Sequence, residues 1–592
     1  MEMRVSRHPL ASLMMLSGLL AVLLMSCQTT PAPLNLAKDQ TLKIVWSMGG
    51  FAPDPIQIVN ATMTQIDNLL FDSLVTLDRN EQVEPWGAES WSVSPDGLTY
   101  TFHLRPNQRF SDGTPAKASD YAWSVDRALN PCLPSEYTYY YSPIKDAAAL
   151  SASICNFDKI QDAAQTLIGD SIVPNNSANT LTITLARPAG YFLAQMASPP
   201  FFVLERPVVI TPVPGDFPTD KLGGDGAWTR LMSDGKTGQG GSGMFYLASR
   251  TVDAADVATL TLRPNPYWWG RHAGKTPHFT TITLTSPMRE LTANFALFNN
   301  DSSAAFVDAV TALPNLPLAT IQAQPYYHVA RFLGMTILVF NWQQAPFDDL
   351  NARKAFCLAV NRDQINQQVF QDVVMPTWRI VPAGMPGYQN GPHGLENAPV
   401  GGNMPLARDF WARYLAAHPT ARAPGAMYVN YFQDNQQQHL VAALQASFAT
   451  MLGSPLTLKP PPHPGVSVLY NQLVRQMPLT VFGWSVDYAD PQDFLTLLFA
   501  NSSPFAPLLH APGVPAAAAL LLRADGLADM AQRIPLYQQA EQLLVDNVVV
   551  CPLYQIVNHY ALRPWVKGGF VEDGRGVFPN DAWVRGYIAH GQ

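Results

Sequence analysis

An apolar run at the N-terminus constrains how the rest of this chain can fold. Leu10 to Met25 is almost entirely apolar, and Arg4 and Arg7 precede it. The run is too short and wrongly flanked for a stable membrane span, so residues 1–26 are predicted to be an export signal. Roughly 565 residues follow, far more than one hydrophobic core usually serves. The sequence therefore predicts two large lobes outside the cytoplasm, and no second apolar run is long enough to span a membrane.

The end of this run, Leu24-Met25-Ser26-Cys27, resembles the bacterial lipobox, in which cleavage leaves the cysteine as a diacylated N-terminus. The resemblance implies lipidation at Cys27, with residues 27–40 as a tether that does not pack. The mature protein is then expected on the outer side of the cell membrane, in a periplasm or on the outer cell surface, held by its lipid anchor. An ordinary secretory signal with an incidental cysteine is the alternative.

Composition indicates a globular protein without a nucleic-acid partner. Apolar residues make up 47% of the chain and aromatic residues 10%, which is too apolar for a disordered chain. The formal net charge of −8 is modest for this length, whereas nucleic-acid binding needs basic patches.

Four cysteines lie beyond Cys27, and export permits disulfides. Cys132 and Cys155 flank a Tyr- and Ala-rich stretch and are a possible disulfide. Cys357 and Cys551 lie in apolar helix- and strand-like runs, where buried free thiols are expected.

Strand-like and helix-like segments are mixed along the chain without a strict βαβ repeat. Apolar residues alternate at 42–46 and 100–104, as they do on strands, whereas they have helical spacing at 352–359 and 534–544. This mixture predicts α/β lobes.

Capping residues predict where two of the helices begin. Ser119 or Asp120 can cap a helix in the first half of the chain. Asp348 or Asp349 is the corresponding start signal for the helix at 352–359.

Enzyme signatures are incomplete wherever they begin to form. Gly235-Lys236-Thr237 and Gly274-Lys275-Thr276 look like the ends of phosphate loops, but Arg230 and Trp269 stand where the earlier glycine is required. Gly241-Ser242-Gly243 lacks the spacing of a nucleophile elbow. The sequence contains neither His-Glu-x-x-His nor Cys-x-x-Cys. We therefore expect a protein that is not an enzyme and that holds no metal or cofactor.

Residues 482 to 494 place an acid, Asp487, among aromatic residues and a proline. Burying an ionised carboxylate costs several kcal/mol unless a cation or several donors meet it. One interpretation is that the cation arrives with a ligand as a free amino group. The other is that the acid caps a helix or pairs with an internal arginine.

An ordered series of motifs extends through most of the chain. The strongest stretch comprises Glu84 to Trp91, Ser94 to Gly97, Tyr100 to Arg105, Phe110 to Pro115, and Ala118 to Asp120 with Ser124 and Arg127. Later blocks comprise Asn341, Pro346 to Asp348, Arg353 to Ala355, Asn361 to Ile365, the Asp487 segment, Arg533, Tyr537, Ala540-Glu541, Cys551 to Tyr554 and Arg563 to Val566. With these motifs the chain resembles the extracytoplasmic solute-binding proteins of peptide-type ABC importers, the dipeptide- and oligopeptide-binding family 5. Most of the motif residues are expected to be structural.

The resemblance implies a two-lobe α/β fold of the large class II periplasmic-binding-protein type. Lobe I would comprise residues 41–333 and 552–592, and lobe II residues 334–551. Chain crossings at Leu333 and Cys551 would form the hinge, and the N-terminal lobe would carry an extra subdomain.

The resemblance also implies a ligand site. In peptide-binding members, the aspartate of the Gly-Trp-x-x-Asp-Tyr loop pairs with the ligand's α-amino group. Asp487 has that position here, and Gly483, Trp484 and Tyr488 match around it.

The sequence departs from this pattern at the other end of the ligand. Some oligopeptide binders have an arginine three residues before the tryptophan, where it meets the ligand's carboxylate, but this chain has Val481. Arg475 lies nearby in sequence and is the candidate substitute.

The resemblance implies a monomeric receptor that captures peptides and delivers them to an ABC permease and its ATPase subunits. A different solute, such as an oligosaccharide, is the nearest alternative, and a secreted hydrolase is an alternative from another class. Aromatic residues that would suit sugar stacking, although such residues are more often core, are Tyr137 to Tyr141, Trp228, Trp268, Trp269, Trp342 and Trp378.

Overall fold

The computed structural model describes residues 34–46, 54–56, 61–133, 135, 137–153, 166–209, 240–254, 257–287, 298–308, 321–388, 394–431, 435–460, 477–500 and 514–590. The predicted signal, Cys27, the beginning of the tether, Cys155, Trp228 and Arg475 lie outside these residues.

The described residues form short strands and two long ones. In chain order they are β1 (Thr41–Val45), β2 (Val75–Leu77), β3 (Val83–Pro85), β4 (Ala88–Val93), β5 (Thr99–Leu104), β6 (Ile172–Asn175), β7 (Thr180–Thr184), β8 (Phe245–Val252), β9 (Val257–Pro264), β10 (Thr281–Pro287), β11 (Ala304–Asp308), β12 (Tyr327–Phe340), β13 (Met375–Pro376), β14 (Ala426–Asn430), β15 (Thr457–Lys459), β16 (Leu479–Ser485), β17 (Val550–Leu562), β18 (Val566–Lys567) and β19 (Tyr587–Ile588).

Helices separate many of these strands. They are α1 (Ala61–Leu70), α2 (Ala118–Ala128), α3 (Ala147–Ser151), α4 (Phe192–Met196), α5 (Arg206–Val209), α6 (Leu350–Ala359), α7 (Arg362–Phe370), α8 (Met404–Ala417), α9 (Asn435–Leu452), α10 (Pro491–Phe494), α11 (Thr496–Phe499), α12 (Val514–Asp525), α13 (Met530–Asp546) and α14 (Asn580–Arg585). Short 3₁₀ helices are Thr138–Tyr141, Pro199–Phe201, Trp269–Arg271 and Leu395–Asn397.

One large sheet connects the N-terminal part of the chain with the central part. Its strand order is β15-β14-β16-β12-β17-β11-β1-β10-β9-β8, and β13 pairs with β17 beside this path. The two longest strands, β12 and β17, pair antiparallel in its middle, from Tyr327 with Ala561 to Val339 with Val550. Strands from residues 41–308 lie on one side of this pair, and strands from residues 426–485 lie on the other.

A separate four-stranded sheet, β4-β5-β7-β6, lies in the N-terminal part. Tyr100, Phe102 and Leu104 of β5 are buried, whereas the alternate residues are more exposed, as the period of two in the sequence predicts. Helix α2 packs against β6 and β7 of this sheet. This sheet and its neighbours have a hydrophobic core of their own.

The buried apolar residues divide into clusters that follow the chain. One cluster is drawn from Leu333 to Tyr554 and packs the central helices against β12 and β16. Three others are drawn almost entirely from residues before and after that stretch. The exception is Tyr488, which belongs by sequence to the central part but packs in the core of the four-stranded sheet.

The expectation of free thiols at Cys357 and Cys551 is wrong. The two cysteines form a disulfide, with an S–S distance of 2.01 Å. The fold brings the C-terminal end of α6 beside the start of β17, although 194 residues separate the cysteines in sequence. Cys132 is also disulfide-bonded, but because Cys155 lies outside the described residues, its pairing with Cys132 stays a prediction.

Among the helices described, none combines the length and the apolar character that crossing a bilayer requires.

Candidate functional site

The Asp487 segment follows a strand of the large sheet. Strand β16 pairs with β12, where Trp484 lies opposite Met335, and the pairing ends at Ser485. The chain then turns, with the Val486 N–H donating to the Leu333 carbonyl at 2.8 Å. The loop ends where Asp490 caps helix α10 by accepting a hydrogen bond from its backbone.

Asp487 is half-buried in this loop, and two tyrosine hydroxyl groups donate hydrogen bonds to its carboxylate. The Tyr139 hydroxyl donates a hydrogen bond to its Oδ2. Burial raises the pKa of Asp487 to about 6, and hydrogen bonds from Tyr139 and Tyr140 oppose this rise. Within the described ranges, no Lys, Arg or His side chain lies at ion-pair distance from Asp487. Its carboxylate therefore lacks a cation from the described part of the chain.

Asp490, three residues later, has an internal cation, whereas Asp487 has none among the described residues. The Arg533 guanidinium donates to both of its carboxylate oxygens at 2.7 Å, and both side chains are buried. Arg533 also donates to the Tyr537 hydroxyl, which donates to Asp525. The helix-capping and arginine-pairing role thus belongs to Asp490.

The other matched residues of the loop have different surroundings. Gly483 is exposed, and a Cβ built there would meet only the Met335 carbonyl oxygen, at 4.0 Å, so the space beside it is open. Trp484 is half-buried, and its ring stacks on that of Phe482 with centroids 6.1 Å apart. Direct ligand contact by Gly483 and Trp484 stays a prediction.

Tyr488 is fully buried and packs the loop against the core of the four-stranded sheet. Its ring packs edge-on against Tyr140, with centroids 5.6 Å apart, and parallel to Tyr191 at 6.2 Å. Its hydroxyl donates to Gln492. Because Tyr140 and Tyr191 come from the N-terminal part, the Asp487 loop lies where the two parts of the chain meet.

Sequence reasoning missed three residues of this site. Tyr139 and Tyr140 are part of the aromatic-rich segment considered for sugar stacking, and the contact of Tyr139 with Asp487 joins residues 348 apart. Asp493 lies within residues 482 to 494, but its role could not be predicted because it depends on how the loop folds back. Its Oδ2 accepts hydrogen bonds from the Asp487 backbone N–H at 3.0 Å and from the Trp484 indole N–H at 3.4 Å.

The tryptophans considered for sugar stacking are buried where the structure describes them. Trp268, Trp269, Trp342 and Trp378 are at most 9% exposed and belong to hydrophobic cores. Trp269 donates to the buried carboxylate of Asp72, which is an internal contact.

Most of the chain is similar in sequence to known proteins. The family model "Bacterial extracellular solute-binding proteins, family 5 Middle" matches residues 82–505. The periplasmic oligopeptide-binding protein OppA of Escherichia coli (strain K12) is 25% identical over 569 residues, covering 95% of this chain and 96% of that protein. The probable deoxycholate-binding periplasmic protein YgiS of the same organism is 25% identical over 548 residues, covering 91% and 92%.

A solved structure has the same fold. The crystal structure of Haemophilus influenzae OppA in complex with RPPGFSPFR superposes with a TM-score of 0.70 at 20% identity, covering 94% of this chain and 100% of that chain. The predicted two-lobe, mixed α/β fold is confirmed.

Proposed function

The chain belongs to the bacterial extracellular solute-binding proteins of family 5, and from this premise we propose that it captures peptides for an ABC importer, with Asp487 pairing the ligand's amino terminus. The observation that carries the proposal is the carboxylate of Asp487, half-buried at the meeting of the two parts of the chain and without a cation among the described residues. Desolvation makes the negative charge of this carboxylate unfavourable, and a ligand ammonium would supply the positive charge that compensates for it.

The protein's own groups would orient that ion pair. The Tyr139 hydroxyl fixes Oδ2 of Asp487, so the carboxylate keeps one orientation as the ligand arrives. The open space at Gly483 leaves room for a ligand backbone beside β16, where strand-like hydrogen bonds would suit many peptide sequences.

Capture would use closure of two lobes. We assign lobe I to residues 41–333 and 552–592, and lobe II to 334–551, with the hinge at Leu333 and Cys551. The division of the cores supports this assignment, because one cluster extends from Leu333 to Tyr554 and the others lie almost entirely outside it. A ligand that touches both lobes stabilises the closed state by the difference between its affinities for the two states.

The cellular setting follows from the same proposal. Cys27 would carry the lipid anchor, with residues 27–40 as the tether, on the outer side of the cell membrane. A monomer would deliver its peptide to an ABC permease and the associated ATPase subunits. Arg475 remains the candidate partner of the ligand's carboxylate.

A second candidate is the same capture mechanism for a different solute. A relative that covers most of the chain is named as a probable deoxycholate binder, so membership in the family does not by itself specify a peptide. Mass spectrometry of material that co-purifies with the protein would separate the candidates. A bile acid or oligosaccharide in place of peptides would overturn the peptide proposal.

We predict that Asp487→Asn weakens binding of free-amine peptides far more than binding of the same peptides with an acetylated amino terminus. Leaving the ammonium without its partner costs about 2–5 kcal/mol for a buried interfacial pair. Isothermal titration calorimetry with both peptide forms measures the difference.

The matched control for this experiment is Asp581→Asn, because Asp581 is an exposed acid whose ion pairs among the described residues are with the exposed Arg79 and Arg585. It should leave both affinities unchanged. Equal loss of the two peptide forms in Asp487→Asn would mean that the acid is structural.

A further inference from the structure

Asp493 lies directly behind Asp487 and is completely buried. Its Oδ2 accepts the Asp487 backbone N–H and the Trp484 indole N–H, so it fixes the loop that presents Asp487. Its Oδ1 is also buried and has no hydrogen-bond partner among the described residues. A carboxylate in such a position is costly to ionise.

The charged and titratable groups that face this pair come from several elements. They are Tyr139 and Tyr140 of the 3₁₀ helix Thr138–Tyr141, and Tyr488 and Asp490 of the loop. Tyr191 before α4, Asp525 of α12, and Arg533 and Tyr537 of α13 lie around Asp490. The cation in this set, Arg533, is bound to both oxygens of Asp490. Asp525 accepts from Tyr537 and Thr496. In the described part of the chain, no cation thus remains for Asp487 or Asp493.

Two neighbouring acids without a cation resist carrying two negative charges. Burial, and then the charge of Asp487, raise the pKa of Asp493 well above its usual value. Burial raises the pKa of Asp487 to about 6. Because the two groups interact, their protons leave in steps that belong to the pair.

We propose that Asp487 and Asp493 together hold one proton at neutral pH, and that capture of a ligand ammonium at Asp487 expels this proton to solvent. The inference rests on the proposed function, since it names what the same site does when an amine arrives. The ammonium supplies the positive charge that the proton supplied before, so the net charge of the buried pair and its cation is conserved. Ligand capture outside the cell would then respond to external pH.

The coupling has a defined size and sign. When one proton is released for each ligand bound, the affinity rises about tenfold for each unit of increasing pH. We expect this slope for free-amine peptides at pH values where the pair still holds its proton and the peptide's amino group, with a pKa of about 7.7–8.0, is still charged. N-acetylated peptides bring no cation, so their affinity should not rise in this way.

Calorimetric titration of the full chain with one free-amine peptide, in buffers of different ionisation heat, counts the protons released. At a pH below the pKa of the peptide's amino group, the wild type should release close to one proton per peptide. Asp493→Asn retains an acceptor for both N–H donors but cannot hold a proton, so its release should fall to near zero while the peptide still binds. Titration of the peptide's own amino group cancels in the difference between the two proteins, and Asp581→Asn should behave like the wild type.

The outcomes separate this inference from the proposed function. Absence of peptide binding by the wild type contradicts the function itself. Peptide binding with heats that do not depend on the buffer contradicts only the proton coupling. Equal proton release by the wild type and Asp493→Asn contradicts the role of Asp493. If Asp493→Asn does not fold, the buffer dependence and the pH slope of the wild type still decide.

Discussion

Asp487 and Asp490 are three residues apart, yet their carboxyl groups have different electrostatic surroundings. Asp490 is bound by the buried Arg533, whereas Asp487 is met by the Tyr139 hydroxyl. The sequence could indicate that one acid of this segment bears on function, but not which acid the arginine would meet. That arginine lies 43 residues beyond Asp490, on a helix whose packing determines the contact. The contact of Tyr139 escaped prediction for the same reason, whereas the contacts of Asp493 depend on how its own loop folds back.

At the residue scale we predict that Arg533→Met strongly destabilises the protein. The change leaves the buried carboxylate of Asp490 without its cation, which costs about 3–5 kcal/mol. Denaturant unfolding measures the effect. Arg585→Met is the matched control, because Arg585 and Asp581 are about half exposed, and such a pair contributes about 0–1 kcal/mol. Similar losses in the free energy of unfolding of the two variants would contradict the expected difference between the buried and the exposed ion pair.

At the scale of single elements, strands and helices with one exposed face were predicted well. The alternating residues of β5 and the Asp349 cap of α6 agree with the sequence. Helix α2 begins at Ala118, with Lys117 as its cap, and Asp120 instead accepts the Lys117 N–H at 2.8 Å from within the first turn. Strand β12 was not predicted, because its second half is buried on both faces and shows no alternation.

The disulfide between α6 and β17 supports a prediction about the central part. Replacing both Cys357 and Cys551 with alanine should lower the free energy of unfolding by about 2–5 kcal/mol, since a long loop is no longer closed in the unfolded chain. Thermal melting with and without a thiol reductant tests this. The reductant should lower the wild-type melting temperature more than that of the double variant. Equal shifts of the two melting temperatures would mean that the reductant acts on the disulfide of Cys132 and not on the one between Cys357 and Cys551.

For the whole molecule, the two-lobe α/β fold could be predicted from family resemblance, but the hydrogen bonds around Arg331, one of which would link the proposed lobes, could not. Arg331 donates to Glu81 at 2.9 Å and to the Gly384 carbonyl at 3.2 Å. Glu81 also accepts from the Gly574 N–H at 2.8 Å. In the proposed division, Arg331, Glu81 and Gly574 belong to lobe I and Gly384 to lobe II. Hydrogen bonds of this kind depend on lobe geometry, which no local pattern encodes.

We predict that Arg331→Met weakens the binding of free-amine and N-acetylated peptides equally, by roughly 1 kcal/mol, because it removes the hydrogen bond from Arg331 to Gly384 that would link the two proposed lobes. Calorimetry with both peptide forms, together with small-angle scattering of the complex, measures this. Arg408→Met is the control, since Arg408 is exposed and donates to Thr450 within lobe II. A loss confined to free-amine peptides would contradict the prediction.

The cross-link between Cys357 and Cys551 also orders the events of biogenesis. A chain that emerges from the ribosome or a translocon with its N-terminus leading presents Cys357 long before its partner, which lies 194 residues later. Until then Cys357 is an unpaired thiol, open to exchange with oxidoreductases and with other chains. The disulfide that closes the central part therefore cannot form until the 194 residues from Cys357 to Cys551 have been delivered.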